Sequence, residues 1–166
     1  MKIFATVGTQ LPFDRLIREL DAWTKNQAQC DVFAQIGLSD YEPRHMGWDR
    51  MVPEKLFREH LSDCDVIVAH AGMGTIISAI DHGKRVIVMP RRAEYGEHRN
   101  DHQFATASRL GHLQGLAVVH DGPELAEALE DVQRSRKCSD VSTQTVLTAS
   151  PQLISEIRQF AGLESR

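Results

Sequence analysis

The stretch His70-Ala-Gly-Met-Gly-Thr75 places two glycines between an apolar run and a segment with helical periodicity. Glycines at such a junction let the backbone approach a ligand closely, and a helix N-terminus offers unpaired N–H donors at the positive end of its dipole. This chemistry suits a phosphate, in particular a diphosphate. The same two glycines also fit a tight strand-to-helix turn that binds nothing.

The glycine spacing differs from two common phosphate-binding motifs. Gly72 and Gly74 are followed by Ile77 where a GxGxxG motif requires its third glycine, and the turn has no lysine of the P-loop type. The turn therefore gives little support to a dinucleotide-binding fold or to a P-loop protein.

A second polar turn follows the first apolar run of the chain. Gly8, Thr9 and Gln10 come directly after residues 2–7, which are rich in strand-forming side chains. If the strands before the two turns are neighbours in a sheet, both turns border one cleft. Taken alone, Gly8-Thr9 is also consistent with an ordinary loop between a strand and a helix.

Two histidines have the spacing of metal ligands. His98 and His102 are four residues apart, with Asp101 beside them, so on a helix they would share a face. However, no glutamate occupies the HExxH position, and His98 is expected in the loop before the helix. We therefore predict no metal site here.

Composition excludes several classes of protein. The 166 residues suit one domain (1–166), and the net charge of −4 without a basic cluster argues against nucleic-acid binding. Three widely spaced cysteines form no CxxC pair, which favours a reducing cytoplasm. The apolar run at the N-terminus is too short for a signal peptide, and no segment approaches the roughly 20 apolar residues that span a bilayer. Any membrane role is expected to come through a partner or a surface.

Alternating strand and helix patterns predict the α/β class: one Rossmann-like, doubly wound parallel sheet of about six strands. Ligands of such sheets bind beyond the carboxyl ends of the strands. A polar segment and a C-terminal amphipathic helix close the chain. The predicted strands are 2–7, 31–37, 50–52, 65–72, 85–90 and 116–122; the predicted helices are 12–26, 53–64, 74–83, 100–112 and 123–133, followed by the polar segment 134–149 and the helix 151–162.

Three segments in order resemble the donor-binding half of GT-B glycosyltransferases, over about residues 1–133. They are residues 7–17 (VGTQLPFDRLI), 66–91 (VIVAHAGMGTIISAIDHGKRVIVMPR) and 97–107 (EHRNDHQFATA). The chain is most similar to the soluble subunit of split, two-chain enzymes with a domain of the glycosyltransferase family 28 C-terminal type. These enzymes include the dolichol-pathway UDP-GlcNAc transferase, through its cytosolic subunit, and bacterial exopolysaccharide transferases, through their E-type subunit.

The resemblance implies a set of residues that bind a UDP-sugar. Relatives carry a glutamate or aspartate for the ribose where this chain has Ser78, and Asp81 lies one helical turn further on as a possible substitute. The implied donor-binding residues are Gly8, Thr9, Gln10, His70, Gly72, Met73, Gly74, Thr75, Arg91, His102 and Gln103.

The resemblance also implies the reaction and its partners. A UDP-sugar would be transferred with inversion to a lipid-linked acceptor, in exopolysaccharide or glycolipid biosynthesis, without a metal or other cofactor. The acceptor site and the general base would come from a membrane-associated partner subunit, so no catalytic residue is expected on this chain. The protein would be cytoplasmic and held at the inner membrane face by that partner.

Helix 151–162 is a candidate anchor for that partner, although it fits equally well as a helix packed on its own sheet. Two other functions remain open. One is a non-catalytic nucleotide-binding or activating subunit, and the other is a stand-alone nucleotide-sugar hydrolase or epimerase that uses the region of His98 and His102.

Overall fold

A computed structural model describes residues 1–100, 102–110 and 115–138 of the chain. Six strands alternate with five helices in this part. The strands are β1 (Lys2–Thr6), β2 (Asp31–Gln35), β3 (Gly47–Asp49), β4 (Val66–His70), β5 (Arg85–Met89) and β6 (Leu116–Val118); the helices are α1 (Asp14–Thr24), α2 (Glu54–Asp63), α3 (Met73–Asp81), α4 (His102–Leu110) and α5 (Gly122–Cys138).

The strands form one parallel sheet in the order β3-β2-β1-β4-β5-β6. This confirms the predicted doubly wound sheet of six strands. From β1 the sheet is extended in one direction by β2 and β3, and from β4 it is extended in the other direction by β5 and β6. This reversal between β1 and β4 opens a crevice at the carboxyl edge of the sheet. Thr6 of β1 stands opposite Ala69 of β4, so the two polar turns that follow these strands are neighbours.

The apolar side chains form two clusters, one on each face of the sheet. One cluster joins the strands to α1 and α5 through Leu16, Leu20 and Leu129. The other joins them to α2, α3 and α4 through Leu61 and Ile76, among others. Because both faces of the central strands are covered, β4 and β5 read as continuous apolar runs in the sequence.

The third strand was predicted in the wrong place, at residues 50–52. It lies at Gly47–Asp49, where Gly47 pairs with Phe33 and Trp48 with Ala34. A Cβ atom at position 47 would lie 3.2 Å from the ring of Phe33, so glycine lets this strand come close to β2. Trp48 packs on the core, whereas Met51 is exposed.

The last described helix is longer than its sequence pattern indicated. α5 continues to Cys138, so it takes in the first residues of the predicted polar segment 134–149. Residues 139–149 of that segment and the predicted helix 151–162 lie outside the described residues. Within the described ranges, none of the helices has the length and apolar character needed to cross a bilayer.

Candidate functional site

Two glycine turns meet on either side of one imidazole ring at the carboxyl edge. Gly8 follows β1 with a φ of +77°, a conformation that side chains rarely adopt, and a Cβ atom there would lie 2.8 Å from Cε1 of His70. A Cβ atom on Gly72, which follows β4, would overlap Nε2 of the same ring. The ring of His70 thus fills the space that larger residues at either position would need. This contact requires glycine at both turns.

The first turn of α3 is open toward the crevice. Gly72 is its N-cap and no side chain caps this end of the helix. Gly74, in the first turn, is exposed, and a Cβ atom there would have no neighbour within 4 Å. Open space in front of uncapped N–H groups is the arrangement that binds a phosphate oxygen.

His70 is uncharged at neutral pH. Burial, together with the positive charge of Arg91, lowers the pKa of its ring from 6.5 to about 4, and the Thr6 carbonyl offsets only part of this effect. The buried Nδ1 has no hydrogen-bond partner of normal geometry. The ring therefore adds no positive charge to the crevice above pH 5.

Protonation of His70 should make stability depend on pH. Above pH 6.5 the ring is neutral in both states; between pH 6.5 and 4 only the unfolded chain takes up the proton, so stability falls as the pH drops. The full effect is about 3 kcal/mol for a pKa of about 4 in the folded state. The free energy of unfolding of His70→Asn should fall less steeply with decreasing pH than that of the parent. Urea unfolding at pH 7.5, 6.5, 5.5 and 4.5 measures the difference. Parallel curves would contradict this, and His82→Asn, at an exposed histidine, is the control.

Arg91 carries a buried positive charge without a carboxylate partner in the described part of the chain. Its side chain is 3% exposed, and Nη2 donates to the carbonyls of Val7 (2.8 Å) and Leu11 (2.7 Å). Its guanidinium also lies 5.1 Å from the centre of the Phe13 ring. Burial lowers the pKa of Arg91, whereas the charge of Glu97 raises it. An anion in the crevice would supply the counter-charge that carbonyl oxygens only partly replace.

Arg15 and Glu97 form an ion pair that the sequence pattern did not reveal. Arg15 Nε and Nη2 donate to the two carboxylate oxygens of Glu97 at 2.7 and 2.8 Å, and both side chains are less than a fifth exposed. Arg15 also donates to the carbonyls of Pro90 (3.0 Å) and His120 (2.9 Å). Glu97 accepts a further bond from the Arg92 backbone N–H (2.9 Å). The pair therefore ties α1 to the segments that follow β5 and β6.

Arg91 and Arg15 together join the loop after β1 to the loop after β5. Both guanidinium groups lie over the ring of Phe13, at 5.1 and 5.2 Å from its centre. The backbone N–H of Arg91 donates to Oε1 of Gln103 at 3.1 Å, which connects the start of α4 to the same unit. The loop after β1, which borders the crevice, is thus bonded to the loop after β5.

The remaining residues implied by the resemblance lie around this crevice or along α3. Thr9 and Gln10 are exposed in the loop after β1, and Met73 and Thr75 are half-buried in the first turn of α3. His102 is the first residue of α4.

Ser78 and Asp81 differ in their distance from the glycine turn. Ser78 is half-buried in the middle of α3, whereas Asp81 is exposed and is the last residue of that helix. At 1.5 Å of rise per residue, Asp81 stands about 10 Å along the axis from Gly74. Ser78 is therefore the nearer of the two candidates for a ribose contact.

No group of three histidine, cysteine, aspartate or glutamate side chains that could hold a metal occurs among the described residues. His98 Nδ1 lies 3.1 Å from both the carbonyl and Oδ1 of Asn100. Asp101 and the side chain of His102 lie outside what the structure describes. The absence of a metal at this position stays a prediction.

Comparison with known proteins yields a family match over most of the chain. Residues 2–157 match the glycosyltransferase family 28 C-terminal domain. A curated relative from Prochlorococcus marinus (strain MIT 9312) is 26% identical over 100 residues, which is 58% of this chain and 26% of the relative. That protein is a UDP-N-acetylglucosamine--N-acetylmuramyl-(pentapeptide) pyrophosphoryl-undecaprenol N-acetylglucosamine transferase.

Two solved structures show the same fold. The glycotransferase of kitacinnamycin superposes with a TM-score of 0.62 at 18% identity, covering 96% of this chain and 38% of that one. Acinetobacter baumannii MurG superposes with a TM-score of 0.55 at 17% identity, covering 94% of this chain and 49% of that one. The chain thus spans about a quarter of the curated relative's length and less than half of either solved chain.

Proposed function

Because the chain belongs to the glycosyltransferase family 28 C-terminal domain family, we propose that it binds the UDP-sugar donor as one half of an inverting glycosyltransferase. The observation that carries the proposal is the pairing of an uncapped α3 N-terminus with the buried, carboxylate-free charge of Arg91 at the reversal of the sheet. A diphosphate suits both features, since it accepts backbone N–H bonds and supplies negative charge.

The diphosphate would lie over Gly74, with its oxygens accepting from the N–H groups of the first turn of α3. Such donors are fixed before the reaction begins and stabilise the charge that develops on the leaving group, so that no metal is needed for this purpose. We propose that Arg91 adds long-range attraction while its own hydrogen bonds hold the loop after β1.

The reaction would be a single displacement. The acceptor oxygen forms a bond to the anomeric carbon as the bond from that carbon to the diphosphate breaks, and UDP leaves with the electron pair. The proton of the acceptor hydroxyl passes to a base on the acceptor-binding half. The configuration of the sugar is inverted because only one displacement takes place.

Gln103 is proposed to contact the sugar, as the family resemblance implies. Its Oε1 is held by the Arg91 backbone N–H, which fixes the side chain at the start of α4. This hydrogen bond orients the amide and ties the start of α4 to the residue that follows Pro90.

Replacing Gln103 by alanine should weaken binding of the UDP-sugar more than binding of UDP. Loss of one hydrogen bond to a neutral group costs about 0.5–1.5 kcal/mol, a two- to ten-fold loss of affinity. Calorimetric titration with UDP and with UDP-GlcNAc, UDP-glucose, UDP-galactose or UDP-glucuronate measures the difference. Gln133→Ala, whose side chain bonds Gln27 at 3.1 Å in the loop before β2, is the matched control. An equal loss for UDP and UDP-sugar would place Gln103 away from the sugar.

The acceptor half is proposed to be a separate, membrane-associated polypeptide. The resemblance to two-chain enzymes supports a separate subunit, and the name of the curated relative includes a pyrophosphoryl-undecaprenol acceptor. We extend this to a lipid-linked sugar acceptor, with the transfer belonging to exopolysaccharide or glycolipid synthesis at the inner face of the membrane.

Titration of the chain with UDP separates this proposal from its alternatives. Binding of UDP without turnover of UDP-sugar supports a donor-binding half, and transfer should then appear only when the acceptor half is added. Absence of UDP binding would overturn the proposal in favour of a non-catalytic activating subunit. Release of free sugar by the chain alone would indicate a hydrolase.

A further inference from the structure

The β5 exit segment, residues 90–92, is held by three side chains from other parts of the chain. Each of the three residues offers one backbone polar atom to one of these side chains. They are Arg15 for the Pro90 carbonyl (3.0 Å), Gln103 for the Arg91 N–H (3.1 Å) and Glu97 for the Arg92 N–H (2.9 Å). A displacement of so short a segment disturbs all three bonds together.

Arg15 and Glu97 hold this segment as a unit because they are bonded to each other. Two donors of the Arg15 guanidinium meet the two carboxylate oxygens of Glu97, and the side chains are only 19% and 11% exposed. The turn after β5 returns Glu97 to the segment, since its own N–H donates to the Arg92 carbonyl at 3.2 Å. The carboxylate that neutralises Arg15 therefore also fixes Arg92.

The Gln103 amide depends on the same segment for its orientation. Its Oε1 accepts from the Arg91 N–H, and no other hydrogen bond in the described part of the chain fixes this half-buried side chain. A glutamine amide has two donors on Nε2 besides its acceptor oxygen. Since Nε2 has no partner among the described residues, it remains available to donate to a hydroxyl group of a ligand.

We propose that Arg15 and Glu97 are positioning residues for the donor sugar, because they hold the β5 exit segment and this segment presents Nε2 of Gln103 to a sugar hydroxyl. The inference rests on the proposed function and deepens it: part of the affinity for the sugar comes from an ion pair that acts through Gln103. A hydrogen bond weakens steeply once its angle at the hydrogen falls below about 120°. A small displacement of the segment is therefore enough to lose the bond to the sugar.

Binding of the diphosphate should not depend on this ion pair. The proposed phosphate donors belong to the first turn of α3, which follows β4. The side chain of Arg91 is held by the carbonyls of Val7 and Leu11. Neither bond involves the ion pair, so the charge of Arg91 remains in place when the pair is broken. The pair is thus expected to affect the sugar of the donor and not its diphosphate.

Replacing Glu97 by glutamine tests the positioning role. Glutamine keeps the size and can still accept from the Arg92 N–H, but it leaves Arg15 without its counter-charge. We expect the affinity for UDP-sugar to fall about two- to ten-fold and that for UDP by less than about twofold. Calorimetric titration with UDP, and with whichever of UDP-GlcNAc, UDP-glucose, UDP-galactose and UDP-glucuronate the parent binds most tightly, measures both affinities. Equal losses for the two ligands, or no loss, would overturn the inference.

Two other variants accompany Glu97→Gln. Glu130→Gln makes the same chemical change in an exposed ion pair of α5, where Glu130 lies 3.8 Å from Arg134, and should change neither affinity. Arg15→Lys keeps the positive charge but cannot donate two parallel bonds to the carboxylate. It should show the same selective loss for UDP-sugar, and it provides the test if Glu97→Gln does not fold. Parent-like affinity of Arg15→Lys for UDP-sugar contradicts the inference.

A double variant shows whether the ion pair acts through Gln103. Gln103→Ala removes the proposed contact with the sugar, so adding Glu97→Gln to it should lower the affinity for UDP-sugar no further. Additive losses would show that Glu97 acts independently of Gln103, and the positioning role would then be wrong.

Amide exchange tests the positioning without a ligand. NMR follows the Arg91 N–H, whose acceptor is Gln103 and not Glu97. We expect its exchange to be at least about five-fold faster in Glu97→Gln than in the parent, because a loosened segment opens the neighbouring bond. An unchanged rate is evidence against the inference. A parent chain that binds no UDP contradicts the proposed function, and this inference with it. A parent that binds UDP, beside a Glu97→Gln variant with full affinity for UDP-sugar, contradicts this inference alone.

Discussion

Replacing Gly74 by valine should abolish UDP binding while the domain remains folded. A Cβ atom at Gly74, in the first turn of α3, would have no protein atom within 4 Å, so there is room to begin a side chain at this position. The added methyl groups would occupy the volume proposed for the diphosphate and screen the N–H donors from it. Valine also has a higher helix propensity than glycine, so the helix itself should not weaken.

The expected loss of UDP affinity is at least 100-fold, or about 2.7 kcal/mol. Calorimetry measures the affinity, and thermal unfolding followed by circular dichroism checks the fold. Gly74→Ala, which adds one carbon, should bind with an intermediate affinity. Equal UDP affinity in Gly74→Val and the parent would show that the diphosphate does not bind at this turn.

Replacing Arg15 by methionine should destabilise the domain by about 3 kcal/mol, the scale measured when one partner of a buried ion pair is removed. The change leaves the carboxylate of Glu97 shielded from water without its counter-charge, and it removes the donors to the carbonyls of Pro90 and His120. Urea unfolding at pH 7.5 measures the loss. Arg18→Met, about one turn later in the same helix, should cost less than about 1 kcal/mol, since Arg18 is exposed and stacks on Tyr41.

A double variant distinguishes the ion pair from general damage to α1. Adding Glu97→Gln to Arg15→Met removes the isolated charge, so the two losses should be clearly less than additive. Strictly additive losses, or an Arg15→Met variant no less stable than Arg18→Met, would show that the pair does not hold the loops together.

Much of the fold could be predicted from local patterns in the sequence. Each buried strand is a continuous apolar run, and the helices have apolar residues at helical spacing. The alternation of strands with helices, and hence the parallel sheet, could therefore be predicted. The turn at Gly72 and Gly74 and its position beyond β4 followed from the same reasoning. The family resemblance, drawn from ordered segments, is confirmed by the family match over residues 2–157.

Contacts between distant residues could not be predicted in this way. Arg15 and Glu97 are 82 positions apart, and Arg91 reaches the Val7 carbonyl across 84. Neither arginine lies in a local sequence motif from which its partner could be predicted. Arg91 was therefore predicted as a donor-binding residue, but its bonds to the loop after β1 were not predicted. The third strand was misplaced because three residues show no periodicity, and its position depends on the close approach of Gly47 to Phe33.

The bonds of Arg15 also bear on when the crevice can first exist during synthesis. Its guanidinium joins the first helix of the chain to the His120 carbonyl, 105 residues later. A ribosome releases the chain from the N-terminus, so the loop after β1 leaves the exit tunnel long before the residues that hold it in place. A nascent chain that ends before β6 therefore has both glycine turns but lacks the bond that ties α1 to the segment after β6. The full set of bonds to Arg15 forms only when nearly the whole described domain has emerged.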